Sequence, residues 1–135
     1  MTRLTGPKKI STAVFISGSG TNLKNLIKFS NTKNSPIVIN LVVSDNSKAK
    51  GLKFATKFKI KKKIINYKIK KMAEKKILYI LKKNNINFIC LAGFMKILSN
   101  NFIKKFNGKI VNIHPSLLPK YKGLNTHERV VKNKE

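Results

Sequence analysis

Ala13-Val14-Phe15-Ile16-Ser17-Gly18-Ser19-Gly20-Thr21-Asn22-Leu23 is the stretch that decides the fold. Four consecutive apolar residues make a strand buried on both faces, the glycine-rich turn ends it, and Leu23, Leu26 and Ile27 resume at helical spacing. The same alternation continues outward. Pro36 introduces a strand rich in β-branched residues from Ile37 to Val43. Ser47 is placed to cap a helix that carries Ala49, Leu52 and Ala55 on one face. A weaker strand is expected over Lys63 to Asn66. Across 70–83, Ala73, Ile77, Ile80 and Leu81 recur with the period of a core-facing helix whose other face is lysine. Ile86 to Leu91 makes a fourth strand, Ser99 starts a short helix that Gly108 closes, and Lys109 to Ile113 makes a fifth strand stopped by Pro115. Asn125 with Glu128 reads as a capping box for a last helix.

Strands alternating with helices specify an α/β fold: a Rossmann-like open, mainly parallel sheet with helices on both faces. At 135 residues the chain holds one domain. The expected organisation is a flexible extension over 1–8 and a single domain over 9–135. A last helix with no closing strand after it reads as a C-terminal truncation of that domain.

The composition narrows the function classes. Thirty basic residues against four acidic ones give a formal charge of +26, which on its face suggests a polyanion partner. Yet 28 of the 30 are Lys, and Lys, Ile and Asn together make 61 of the 135 residues. All three have A/T-rich codons, so base-composition drift explains the excess. Arg, the preferred reader of bases and phosphates, occurs at Arg3 and Arg129 alone. The expectation is weak, salt-sensitive polyanion binding and no specific nucleic acid. No apolar run approaches the roughly 20 residues of a membrane span. One cysteine, Cys90, permits no intrachain disulfide and reads as a buried small hydrophobe, consistent with the cytoplasm. Two His, one Cys and four acids are dispersed without metal-ligand spacing, so no metal is expected. The run Lys61-Lys62-Lys63 reads as a solvated strand edge.

Two segments carry chemistry. The turn Ser17–Asn22 joins a strand to a helix, where glycines let an anion approach the backbone and free N–H groups point at it. It lacks the third glycine of the dinucleotide fingerprint, which is Leu23 here, and the Gly-Lys-Ser/Thr of a P-loop, so a phosphate monoester fits best. A plain glycine turn with Thr21 as cap fits the same residues. The second segment is Asn112-Ile113-His114-Pro115-Ser116-Leu117-Leu118-Pro119. Asn112 and His114, two apart, project to one side at the end of a strand, where open α/β sheets place ligands. A carboxamide and an imidazole there can polarise a carbonyl and move a proton, which acyl transfer to an amine requires. A structural histidine beside a proline turn is the other reading.

Three motifs in order resemble phosphoribosylglycinamide formyltransferase: Ser17-Gly-Ser-Gly-Thr-Asn-Leu23, Leu91-Ala-Gly-Phe-Met-Lys-Ile-Leu98, and Asn112-Ile-His-Pro-Ser-Leu-Leu-Pro-Lys-Tyr-Lys-Gly123. The resemblance runs from about Lys9 to the last residue. It implies the formyltransferase fold and transfer of a formyl group from 10-formyltetrahydrofolate to the glycyl amine of glycinamide ribonucleotide, without a metal. By position, Gly20, Thr21 and Asn22 would hold the ribonucleotide phosphate. Met95, Lys96, Ile97 and Leu98 would line the folate pocket, largely through backbone groups, with Lys70 and Asn112 beside it. Asn112 and His114 would be the catalytic pair. The family's third catalytic residue, an aspartate, would fall beyond residue 135, and Asp45 does not match its motif. Residues 1–135 alone are therefore expected to bind phosphate but to turn over poorly. The alternatives are a nonenzymatic nucleic-acid-binding fragment, or an enzyme like methionyl-tRNA formyltransferase, to which the positive charge would be useful.

Overall fold

A computed structural model describes residues 8–113. Five strands and four helices alternate: β1 (Ile10–Ile16), α1 (Thr21–Ser30), β2 (Ile37–Ser44), α2 (Leu52–Lys57), β3 (Lys61–Ile64), α3 (Lys70–Lys83), β4 (Phe88–Ala92), α4 (Asn100–Lys105) and β5 (Lys109–Ile113). They form one sheet in the order β3-β2-β1-β4-β5, and every strand pairing among them is parallel. The expected doubly wound α/β architecture is therefore present. The Pro115 stop and the Asn125–Glu128 box lie outside the described residues.

Two cores sandwich the sheet. On one face α1 and α2 bring Leu23, Ile27, Leu52 and Ala55 against Val14, Ile16, Val42 and Cys90. On the other, α3 and α4 bring Ala73, Ile77, Leu81 and Phe102 against Ala13, Phe15, Leu41, Val43 and Ile89. Alternating residues of β1 thus feed opposite cores, as the pleat requires. β3, the lysine-rich edge strand, is exposed along its whole length.

Local readings need correction at three places: the third strand, expected over Lys63 to Asn66, runs over Lys61–Ile64, where it pairs with Leu41 to Ser44, and two caps differ. Ser47 does not cap a helix: Gly51 precedes α2 instead. The backbone before it is committed to a turn, in which the Asn46 side chain accepts from the Lys48 N–H and the Asn46 carbonyl from Ala49. Gly108 does not act as a helix cap, since α4 ends on Phe106 in an extended conformation. Gly108 is needed because a Cβ there would collide with the Asn87 carbonyl. β2 also carries a bulge. Its register against β1 shifts between Thr12 and Ala13, leaving Asn40 as an extra residue. The Asn40 amide donates to Ser11 Oγ at 2.8 Å. Ile37 and Ile39 before the bulge face the α1 and α2 core, whereas Leu41 and Val43 after it face the other.

The faces of α3 give a direct test. Ile77 is fully buried and Tyr79 is 64% exposed. Ile77→Ala is expected to lower unfolding free energy by about 2–5 kcal/mol. Tyr79→Ala is expected to change it by less than about 0.5 kcal/mol, both read by urea denaturation.

Candidate functional site

In a parallel sheet all loops that follow strands emerge at one edge. From β1 the chain winds outward through β2 to β3, then crosses to the other side of β1 and continues through β4 to β5. The loops after β1 and β4 therefore diverge to opposite faces, and the crevice between them is where an open α/β sheet takes a ligand. A cleft of about 380 Å³ lies there, lined by Ser17 to Asn22 from the first loop and Ala92, Gly93 and Met95 from the second. A larger cleft of about 550 Å³ sits at the opposite edge of the sheet, between the ends of α3 and α4, where Asn85, Asn87 and Asn107 precede strands.

Gly20 stands at the N-terminal cap of α1 with φ +76°, a conformation glycine adopts without strain. No side chain caps α1, and its first turn holds no acidic residue. Thr21 is therefore not a side-chain cap; it is the first helical residue, its Oγ1 3.3 Å from Ser19 Oγ. The backbone N–H groups and dipole of this helix start favour an anion. The turn packs on α2 with little space: Gly51 donates its N–H to the Gly18 carbonyl at 2.9 Å, and a Cβ on Gly51 would lie 2.8 Å from both Gly20 Cα and Ile16 Cδ1.

The Ser17 hydroxyl, at the rim of the cleft, is committed to protein partners. It donates to Asp45 Oδ1 at 2.5 Å and accepts from the Met95 N–H at 2.8 Å, tying the ends of β1 and β2 to the loop after β4. That loop is held again at its far end. Glu74 on α3, 6% exposed, accepts from Ser99 N at 2.8 Å and Ser99 Oγ at 2.5 Å, and Ser99 Oγ accepts from Phe102 N at the start of α4. Between the two ties Met95 and Ile97 are exposed, whereas Leu98 is buried. Lys96 Nζ lies 5.8 Å from the centre of the Tyr67 ring, which packs edge-on against Phe94. The Tyr67 hydroxyl is buried without a hydrogen-bond partner among the described residues. Burial, then the charges of Glu74 and Asp45, push its pKa well above the ordinary phenol range.

The candidate residues from the sequence are thus distributed as follows. Gly20, Thr21, Asn22 and Met95 share the cleft. Lys96 and Ile97 follow on the same loop, and Leu98 contributes its side chain to the core. Lys70 is exposed at the first turn of α3. Asn112 is half-buried on β5, in register with Leu91. His114 lies outside the described residues. Sequence reading missed Asp45 and Glu74 as ties to this loop; their rarity in so basic a chain was the available signal.

The chain matches the formyl transferase family over residues 10–134. It is 43% identical over 127 residues to human trifunctional purine biosynthetic protein adenosine-3, covering 92% of this chain and 13% of that protein. It is 42% identical over 127 residues to phosphoribosylglycinamide formyltransferase from Haemophilus influenzae, covering 92% of this chain and 59% of that enzyme. The crystal structure of phosphoribosylglycinamide formyltransferase from Brucella melitensis superposes with a TM-score of 0.77 at 38% identity, over 93% of this chain and 67% of that one.

Two outcomes check this geometry. Gly51→Ala should cost about 1–3 kcal/mol of stability through overpacking, whereas Gly18→Ala, with open space around its Cβ, should stay within about 0.5 kcal/mol in the same urea titration. Burial pushes the Cys90 thiol up to about 11. Because burial disfavours the thiolate, native Cys90 should react with iodoacetamide at pH 8 roughly two orders of magnitude more slowly than a free thiol, the rate rising as pH nears that value.

Proposed function

The chain belongs to the formyl transferase family, and from that premise we propose that it serves the transfer of a formyl group from 10-formyltetrahydrofolate to the glycyl amine of glycinamide ribonucleotide in purine synthesis. The observation that carries this reading is the meeting of two loops in one cleft: a glycine turn at an uncapped helix start faces a loop with exposed Met95 and Ile97. An anion at the first places the rest of a small nucleotide beside the second.

In this reading Gly20, Thr21 and Asn22 receive the phosphate through backbone N–H groups and the field of α1. Backbone groups of Met95, Lys96, Ile97 and Leu98 receive the folate. Lys70 stands near it as a point charge, without the planar fork of an arginine. The amine attacks the formyl carbon, Asn112 donates to the oxygen as negative charge develops, and His114 assists proton transfer to the departing folate nitrogen. The amine is the nucleophile, so the protein supplies none. The reaction draws on cytoplasmic metabolites, and we place the protein in the cytoplasm. No helix among the described residues is long and apolar enough to cross a membrane.

The chain spans 13% of the human relative and 59% of the Haemophilus influenzae one, so binding is the direct test. In calorimetric titration, glycinamide ribonucleotide is expected to bind residues 1–135 and to be displaced by inorganic phosphate at high concentration. Aminoacylated tRNA is expected not to displace it. Displacement by the tRNA, or no binding of the ribonucleotide, would overturn the reading.

A further inference from the structure

Asp45 and Glu74 are the only acidic residues among those described, in a chain that carries 28 lysines. Both direct their hydrogen bonds to serines that hold the loop after β4. The two arrangements share one logic. A carboxylate only accepts, so it commits the single proton of the serine hydroxyl and leaves the serine lone pairs facing a backbone N–H. Asp45 thereby aims Ser17 at the Met95 amide, and Glu74 aims Ser99 at the Phe102 amide while also taking the Ser99 N–H itself.

Between these ties lie Lys96, Ile97 and Leu98. Met95 and Ile97 are 73% and 70% exposed, so their burial does not anchor the loop; Leu98 alone of the four residues 95–98 is buried. One packed side chain leaves a four-residue segment free to twist. Two charge-assisted relays at its ends restrain it, and such bonds are roughly twice as strong as neutral ones. The geometry points to Glu74 and Asp45 as positioning residues. Neither touches the reacting atoms; each fixes one end of the 95–98 backbone so that its N–H and C=O groups stand ready for the planar, hydrogen-bonding ring of a folate. The assignment of the folate to this segment rests on the reading above.

Glu74→Ala in the full chain is expected to weaken 5-formyltetrahydrofolate, used as a stable folate probe, about tenfold, the loss of a hydrogen bond to a charged group. Affinity for glycinamide ribonucleotide should stay within about twofold, since the phosphate cradle is made by the other loop. Glu74→Gln, whose one amide oxygen can take the Ser99 N–H but whose NH2 cannot accept the Ser99 hydroxyl proton, should restore only part of the loss. Asp45→Ala reports from the opposite end should Glu74→Ala fail to fold. Amide hydrogen exchange should accelerate at Ser99 and Phe102 in the Glu74 variant and at Met95 in the Asp45 variant. Equal weakening of both ligands, or unchanged exchange across 95–102, overturns the positioning roles. Should the unsubstituted chain bind neither ligand, the functional reading fails, and exchange decides the positioning roles separately: acceleration supports them and no change overturns them.

Discussion

The winding of the chain reverses at β1, and the site depends on that reversal. β1 is buried on both faces from Ala13 to Ile16, so it must have helices above and below. One parallel strand lies on each side of it, and the loops after β1 and β4 are forced apart over opposite layers. A crevice at the sheet edge follows from topology before any particular side chain is considered. What the side chains decide is how that crevice is finished. On the β1 side two glycines, Gly20 and Gly51, let backbone pack directly on backbone. On the β4 side two serines and two carboxylates hold an exposed loop in place.

Most of the fold was legible because its elements are strongly periodic. The α3 boundaries, Lys70 and Lys83, match the span of the Ala73, Ile77, Ile80, Leu81 pattern, and β5 matches Lys109–Ile113. The misreadings fall where tertiary contact overrides local preference. Ser47 is a good cap residue, but Asn46 captures that turn and Gly51 is drawn to Gly18. The bulge at Asn40 is hidden because the residues on either side of it, Ile37 to Ile39 and Leu41 to Val43, are apolar without a break. A strand of that kind shows no alternation, so a one-residue slip leaves no mark in the pattern.

The site was legible to a different degree on each side. The glycine turn announces itself by composition, and its place between strand and helix follows from the periodicity around it. The carboxylate ties do not, since their partners are 28 and 25 residues away for Asp45 with Ser17 and Glu74 with Ser99. Glu74 occupies a position that the helical period assigns to the flank of the buried stripe, next to Ala73. A carboxylate there is costly unless it is fully hydrogen-bonded, and Ser99 supplies both donors. His114 and the residues that follow it rest on resemblance and not on geometry.

The charge distribution shows how so basic a chain keeps a defined site. Among the described residues, the last turns of all four helices carry lysines: Lys28, Lys57, Lys82 and Lys83, and Lys104 and Lys105. There the positive charge complements the helix dipole. Across the described residues the scarce negative charge is withdrawn from solvent into hydrogen bonds beside the cleft, and none sits in the first turn of α1. An anion approaching that helix start meets no fixed carboxylate in its first turn. The same lysine excess that resembles a nucleic-acid footprint in the composition is, in the fold, spread over helix ends and an exposed edge strand. Such a surface attracts polyanions without orienting them. At the glycine turn between β1 and α1, by contrast, backbone N–H groups of a helix start border open space, an arrangement that suits a single small anion.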